Sequence, residues 1–475
     1  MKPRYLKAMT RLEVPDVDEQ GPRAGHAAVS VPPKRVGDER QDHSGIFSRM
    51  GRNIAWLLGG RGFAAIVSLL YLAIAARALE PEGFGRFTLV LTFGQMIANL
   101  VQFQSWKSVL RYGAPHVEQG RHDHLARLLG FTATLDWLAA FAGAGLAVAG
   151  AFAAGPLFHW SGDEQSRAAL FSATLLLSTG ATQGGVLRLF DRFDLLTLSE
   201  AVAPLVRLVG ASAAWLAGGG VGAFLGVWAV AALAQAGAAW IILWTAQPVR
   251  LSIGRLAARQ ALSENRRLIR FMVQTNLSNS LNLFWLHIGT LAVGAFAGPA
   301  AAGGFRLADR MVRGIASAAD TLTRVLYPEL ARLVASNNRH ALARVFKRTS
   351  LLAFAVALAV VAVTGLFGSD IIQLVAGRAF RFAHVYLFLL AIAAAVDLCG
   401  FALEPFHIAH GRSGRVLRSR AVGATIYVAL LAALVPRLGA PGAAIAAIVA
   451  SVVIVGQLAQ SAAQILRQPR GPTAT

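Results

Sequence analysis

The chain has 475 residues, of which 55% are hydrophobic and 15% charged, whereas about 25% of the residues of an ordinary soluble protein are charged. This composition excludes a large soluble enzyme. The formal net charge is +21, from 45 basic and 24 acidic residues, and the positions of these charges decide between nucleic acid and a membrane as their partner. The single cysteine, Cys399, excludes an intrachain disulfide and a cysteine-based metal cluster.

The first fifty residues contain five prolines, mixed charges and no apolar run, so they cannot bury enough apolar surface to offset chain entropy. We expect a disordered cytoplasmic tail over 1–50. Twelve apolar segments follow, most of them close to the length of about 20 residues that crosses about 30 Å of hydrocarbon as a helix. They are 53–76, 87–109, 128–153, 168–187, 195–217, 222–245, 269–296, 303–330, 349–367, 384–404, 420–435 and 442–466. The sequence therefore predicts an all-α polytopic membrane protein with about twelve transmembrane helices.

The basic residues between these segments predict the orientation of the protein. With the N-terminus in the cytoplasm, the outer connections hold seven basic residues and the inner connections hold twenty. The positive-inside rule therefore places both termini in the cytoplasm, with basic residues in contact with anionic membrane lipid. This distribution explains the positive charge without nucleic acid as a partner.

An internal repeat divides the chain into two halves. The pattern Pro-x3-Gly-x-Phe begins at Pro81 and again at Pro299, and Gly-x-x-Gly-Ala begins at Gly219 and again at Gly439. The two offsets are nearly equal and each spans six helices, an even number that keeps the same orientation, which predicts parallel repeats. We expect a six-helix lobe over 51–246, an amphipathic cytoplasmic linker over 247–268, a second lobe over 269–467 and a cytoplasmic tail over 468–475.

The sequence contains no nucleotide P-loop, no His-Glu-x-x-His and no Gly-x-Ser-x-Gly pattern. We therefore expect no catalytic residue, no metal site and no cofactor, and we look for function among the helices. Ionisable groups there are costly unless they face a bundle interior or a hydrated cavity. The eighth segment has an unusual number of polar residues, spaced by 4, 3, 4, 3 and 4: Arg306, Arg310, Arg313, Ser317, Asp320 and Arg324.

At about 100° per residue these six side chains fall within an arc of about 80°, so they form one polar stripe. Guanidinium groups match phosphate oxygens in bidentate geometry, which indicates an anionic, phosphate-bearing solute. Arg61 and Arg207 are expected to add to the same positive interior. Asp309 and Asp320 could instead neutralise the stripe. The candidates for coupling to an ion are carboxylates: Asp136, Glu200, Asp309, Asp320 and Asp397.

Four segments carry a resemblance to a known family: 76–87 (ARALEPEGFGRF), 185–193 (GVLRLFDRF), 291–305 and 327–332 (YPELAR). They resemble the polysaccharide-biosynthesis (Wzx-type) flippases of the multidrug/oligosaccharidyl-lipid/polysaccharide exporter superfamily. Two positions depart from the pattern of that family. Glu80 replaces the usual Gly, and His287 stands where many relatives carry Asp, so a coupling role of that Asp does not transfer.

The resemblance implies two six-helix lobes around a central cavity that opens alternately to the two membrane faces. It implies that the solute is an undecaprenyl-pyrophosphate-linked oligosaccharide, moved to the periplasmic leaflet for O-antigen, exopolysaccharide or capsule synthesis. A polysaccharide polymerase and the export machinery are then expected partners. Alternatives remain open: a cation-coupled drug exporter or a peptidoglycan-precursor flippase of the same superfamily, a membrane-embedded transferase, and a scaffold that transports nothing.

Overall fold

The computed structural model describes residues 38–178, 180–246, 251–335 and 339–467, without the side chains of 38–61, 63, 65, 246, 278–286, 315–343, 345–347, 409, 466 and 467. Every regular element in these ranges is a helix. The α-helices are α1 Asp38–Val101, α2 Ser105–Glu118, α3 His122–Ala154, α4 Gly162–Leu177, α5 Ala181–Leu189, α6 Phe193–Leu216, α7 Val221–Ala246, α8 Arg255–Glu264, α9 Leu268–Ala335, α10 Arg339–Ala376, α11 His384–Cys399, α12 Leu403–Ala409, α13 Ser413–Leu438 and α14 Ala440–Arg467. Short 3-10 turns lie at Pro156–Phe158 and Arg378–Ala383. Of the two predicted tails, 1–37 and 468–475 lie outside the described residues, and 38–50 belong to α1.

These helices confirm the predicted fold class. Nine stretches of the described chain are long and apolar enough to cross a membrane. Two of them, Ile66–Glu118 and His287–Gly314, contain the sharp bends of α1 and α9. With 64 and 68 residues, α1 and α9 are each long enough for two spans, one on either side of the bend. The interrupted pair α4 and α5 covers the remaining predicted segment. The protein is therefore an all-α polytopic membrane protein with about twelve spans, in two six-helix lobes around a central cavity.

The two halves bend at equivalent positions, as the sequence repeat predicts. Glu80, with φ 56° and ψ 175°, interrupts α1, and Gly298, with φ 84° and ψ 172°, interrupts α9. Each of these residues precedes a proline, which disfavours helical backbone at that position. Further residues with positive φ recur in pairs at nearly the same offset: His159 and Gly377, Asp191 and Gly411, and Gly218 and Gly439.

Three of the predicted spans are interrupted. The predicted segment 87–109 ends as α1 at Val101 and resumes as α2 at Ser105, whereas α9 continues without a break through the equivalent position. The segment 168–187 is divided between α4 and α5, and the segment 384–404 between α11 and α12. Gly180 and Gly400 lie in these last two breaks at the offset of the repeat, so the breaks also follow the duplication.

The halves of α1 and α9 that follow the bends pack backbone against backbone. A Cβ atom on Gly85 would collide with the carbonyl oxygen of Pro299, and one on Gly303 would lie 3.0 Å from the Cα of Gly85. Gly85 and Gly303 are equivalent residues of the repeat. The buried rings of Phe84 and Phe87 pack beside this contact, so the lobes meet closely at the end where odd-to-even connections lie.

The segment predicted as a linker, 247–268, packs on α3 over its described part. Glu264, the last residue of α8, forms an ion pair of 2.6 Å with Arg127 of α3. The backbone N–H of Ser252 donates to the carbonyl oxygen of Ala126 at 3.0 Å. A Cβ atom on Gly130 would collide with the carbonyl oxygen of Ser252, so the linker lies directly on α3.

We predict that Glu80→Gly stabilises the protein, because the backbone of Glu80 lies in a region of φ and ψ that only glycine adopts without strain. The Glu80 side chain is exposed and forms no ion pair with a described residue. Relief of the strain should raise the free energy of unfolding by about 1–2 kcal/mol, measured as a higher melting temperature of the purified protein.

The matched control is Ala78→Gly, at a nearby position in helical backbone. A glycine there should lower the free energy of unfolding by about 1 kcal/mol. A fall in melting temperature for Glu80→Gly that equals the fall for Ala78→Gly would contradict the assignment of strain to Glu80.

Candidate functional site

A cavity of about 660 Å³ lies between α9 and the helices of the N-terminal lobe. This volume falls within the range of about 300–1,000 Å³ that small-molecule sites occupy. Helices α1, α2, α4, α5, α6 and α7 form one wall. Helix α9 forms the other, through His287 before its bend and through residues between Arg306 and Arg313 after it. The charged residues that line the cavity are Arg188, Glu200, Arg207, Arg306, Asp309, Arg310 and Arg313.

The polar stripe of α9 lines this cavity over its described part. Arg306 donates from Nη2 to the Oε1 atom of Gln95 at 3.2 Å, and its Nη1 lies 3.8 Å from Asp309 Oδ2. Arg313 donates from Nε to the same carboxylate oxygen at 2.8 Å. Asp309 thus holds two arginines and cannot neutralise both.

Arg310 projects into the cavity between these two arginines. Arg310 is exposed, and it forms no ion pair with any acidic side chain that the structure describes. A planar, permanently charged group in this position needs water or an anion to balance it. Of the three arginines of α9 that line the cavity, Arg310 is therefore the most available to an anionic ligand.

Arg207 approaches the cavity from the N-terminal lobe. Its guanidinium lies over the rings of Tyr71 and Trp228, at 5.8 and 5.6 Å from the ring centroids, and its Nη1 donates to the Tyr71 hydroxyl at 3.5 Å. The aromatic faces hold the cation without neutralising it. No acidic residue among those described forms an ion pair with Arg207.

The cavity therefore carries excess positive charge. Five arginines and two carboxylates lie among its described lining residues, which leaves a net charge of +3 when His287 is counted as neutral. Glu200 lies 3.4 Å from Arg188, an ion pair at the edge of the cavity. This imbalance attracts an anion and repels a cation, and the effect is strong where low-dielectric walls surround the site.

Not every residue that the sequence singled out lies in the cavity. Asp397 is on α11, outside the lining. The side chains of Arg61, Asp320 and Arg324 lie outside the described residues. The contacts of the arginines with a substrate, and the coupling of Asp136, Glu200, Asp309, Asp320 and Asp397 to an ion, stay predictions.

Asp136 has a structural surrounding that the sequence did not reveal. It is buried on α3, and its Oδ1 accepts a hydrogen bond from the Ser105 hydroxyl at the start of α2. Its Oδ2 accepts from the backbone N–H and the hydroxyl of Thr182 at the start of α5, at 3.1 and 2.6 Å. One carboxylate thus joins the N-terminal ends of two helices that follow breaks, where a negative charge is stabilising.

Sequence reasoning missed four amide side chains that line the cavity: Gln95, Asn99, Gln102 and Gln235. The first three, along α1 and just past its end, are spaced by 4 and 3, as are the arginines on α9. The Asn99 Nδ2 atom lies 2.9 Å from His287 Nε2, which is a second polar contact between the lobes. This spacing predicts a polar helix face. Neutral amides are less costly than charges within a span, so they do not mark a functional site as the arginines do.

Comparisons with known proteins decide the family. The family model described as "Polysaccharide biosynthesis protein" matches residues 50–334. The chain belongs to this family. It is also 30% identical over 341 residues to the inner membrane protein YghQ of Escherichia coli strain K12, an alignment that covers 70% of this chain and 94% of that protein. The family predicted from the four segments is confirmed.

Two solved structures share the fold of this polysaccharide biosynthesis family member. One is an inward-facing multidrug resistance MATE family transporter of the MOP superfamily, with a TM-score of 0.70, 14% identity, and coverage of 86% of this chain and 96% of that one. The other is the lipid II flippase MurJ in an inward closed conformation, with a TM-score of 0.68, 10% identity, and coverage of 86% and 87%. The fold is therefore that of the MOP superfamily transporters.

We predict that Asp136→Ala destabilises the protein, because it leaves the buried donors of Ser105 and Thr182 without their acceptor. The expected loss is about 1–3 kcal/mol in the free energy of unfolding, measured by thermal unfolding of the purified protein. The matched control is Asp194→Ala, which removes a partly exposed carboxylate paired with Arg192 and should change stability by less than about 1 kcal/mol.

Equal melting temperatures for Asp136→Ala and the wild type would contradict this structural role. Asp136 would then be free to serve in the ion coupling that the sequence suggested.

Proposed function

We propose that this protein is a flippase that moves an undecaprenyl-pyrophosphate-linked oligosaccharide from the cytoplasmic to the periplasmic leaflet of the bacterial inner membrane. The observation that carries the proposal is the excess of arginine over carboxylate in a cavity between two lobes. A diphosphate carries the complementary charge, and its oxygens match the guanidinium geometry. Family membership in polysaccharide biosynthesis supports this choice of substrate.

The barrier that such a protein removes is the dehydration of the head group. A charged sugar diphosphate would have to shed its water to cross hydrocarbon unaided, at a cost of many kcal/mol. In a polar cavity, Arg306, Arg310 and Arg313 replace part of that hydration while the lipid tail stays in the bilayer. Rocking of the two lobes around the cavity then changes the membrane face to which the head group is exposed.

Two further observations fit this cycle. The lobes meet backbone to backbone at Gly85 and Gly303, whereas the cavity is lined by residues further along α1 and α9, toward the end at which α2 begins. The linker residues Ser252 and Glu264 are held on α3, so they are expected to move with the N-terminal lobe. We assign the cavity to the cytoplasm-facing state.

The charge of the cavity separates this proposal from a cation-coupled drug exporter, whose cationic substrates favour carboxylates over arginines. The charge does not distinguish the proposed flippase from a peptidoglycan-precursor flippase, since both substrates contain a diphosphate. The pathway is distinguished by deletion of the gene. Loss of a surface polysaccharide, with accumulation of its lipid-linked precursor and unchanged peptidoglycan synthesis, is the expected result.

We predict that Arg310→Gln lowers leaflet transfer of an undecaprenyl-pyrophosphoryl oligosaccharide in reconstituted vesicles by about tenfold or more, since a hydrogen bond to a charged group contributes about 1.5–3 kcal/mol. Arg310→Lys should retain intermediate activity, because it keeps the charge and loses the planar fork. The matched control is Arg437→Gln, which removes an exposed arginine at the C-terminal end of α13 and should leave transfer unchanged.

Wild-type rates in the double variant Arg310→Gln/Arg313→Gln would overturn the proposed role of the arginines. Transport of a cationic dye by the wild type, with no transfer of the sugar lipid, would favour the drug exporter instead.

A further inference from the structure

The two walls of the cavity are built from equivalent helices of the repeat. The bends at Glu80 and Gly298 align the second half of α1 with the second half of α9. In this alignment Gln95 is the equivalent of Arg313, and Asn99 and Gln102 are the equivalents of Ser317 and Asp320. The same helical face is therefore polar in both halves, with neutral amides on α1 and charged groups on α9.

The amide groups of α1 lie opposite the arginines across the cavity. Gln95 accepts a hydrogen bond from Arg306 at 3.2 Å, so the neutral and cationic walls meet at that point. Gln102 lies two turns further along, just past the end of α1, and donates to the carbonyl oxygen of Leu176 at a long distance of 3.4 Å. Gln235 of α7 is half-buried and extends the neutral wall.

Amides and guanidinium groups recognise different chemistry. An amide offers two N–H donors and a carbonyl acceptor, which is the pairing that a sugar hydroxyl needs, because the hydroxyl both donates and accepts. A guanidinium offers donors alone and binds anions. The duplicated helix pair thus presents an anion-binding wall and a hydroxyl-binding wall to one cavity.

The neutral wall ends at an aromatic ring. Trp106 at the start of α2 lines the cavity, and its indole N–H donates to the Oε1 atom of Gln104 at 2.9 Å. The guanidinium of Arg188 lies 4.9 Å from the ring centroid. The ring is therefore fixed in place, with its hydrogen-bonding group already occupied, as an apolar surface beside the amides.

We propose that Gln95, Asn99, Gln102 and Gln235 form a sugar-binding subsite, which holds uncharged hydroxyl-bearing sugars while the arginines of α9 hold the diphosphate. This inference rests on the proposed function and adds to it the part of the substrate that each wall binds. With this subsite, the affinity of the protein for a lipid-linked substrate depends on the sugars of that substrate.

The test compares two ligands on the full chain in lipid nanodiscs: undecaprenyl pyrophosphate without sugar, and undecaprenyl pyrophosphate that carries four neutral hexoses. Gln102→Leu and Gln235→Leu replace each amide by an apolar side chain of similar size. Each variant should weaken binding of the sugar-bearing lipid by about threefold to tenfold, the effect of one lost hydrogen bond. Each should leave the binding of undecaprenyl pyrophosphate within twofold of the wild type.

Arg310→Gln is the comparison variant and should weaken both ligands by a similar factor. Wild-type affinity of both amide variants for the sugar-bearing lipid would overturn the subsite and leave the proposed function intact. An equal loss for both ligands in the amide variants would also overturn it, because the wall would then act on the shape of the cavity. Failure of the wild type to bind either ligand would overturn the proposed function, and the subsite with it.

Discussion

An imbalance of charge within the membrane governs this structure. Arg207, Arg306, Arg310 and Arg313 face a cavity in which Asp309 is the one described carboxylate that pairs with any of them. In hydrocarbon such an arrangement would cost several kcal/mol for each unpaired charge. The arrangement is stable only where water or an anion fills the cavity. The breaks after α1 and α4, the aromatic platform under Arg207 and the amide wall all lie around that space.

The repeat explains how one fold supplies two kinds of wall. Equivalent bends at Glu80 and Gly298, and the equivalent glycines Gly85 and Gly303 in contact, are fixed by backbone geometry and occur in both halves. The backbone geometry of the bends does not restrict which side chains face the cavity. These side chains are arginines on α9 and amides on α1. The duplicated scaffold thus places an arginine-bearing helix face and an amide-bearing helix face in the lining of one cavity.

Much of the fold was predictable because apolar length and the positions of Gly, Pro and Arg report directly on membrane helices. The bends were predictable from Pro81 and Pro299, since a proline restricts the residue before it. The break between Val101 and Ser105 was not predictable. The length of an apolar segment does not show where a distant side chain interrupts it. Asp136 of α3 stabilises the first residues of α2 and α5 through hydrogen bonds to Ser105 and Thr182.

The candidate site was predictable in part for a related reason. The arginines of α9 stand out because charge within a span is costly, whereas the amides of α1 cost less to bury and resemble ordinary interhelical contacts. Arg188 is one of the twenty basic residues assigned to the inner connections, yet it lies in α5, which begins after a break, and it lines the cavity. Glu80 was noted as a departure from the family pattern, and it carries backbone strain.

Binding of undecaprenyl pyrophosphate and of undecaprenol to the wild-type chain, at low and high salt, tests the central claim most directly. The two lipids share a tail and differ in the diphosphate. A cationic cavity predicts that the diphosphate lipid binds at least tenfold more tightly at low salt and that high salt reduces this difference. Equal affinity for the two lipids at every salt concentration would contradict the claim that the arginines recognise an anionic head group.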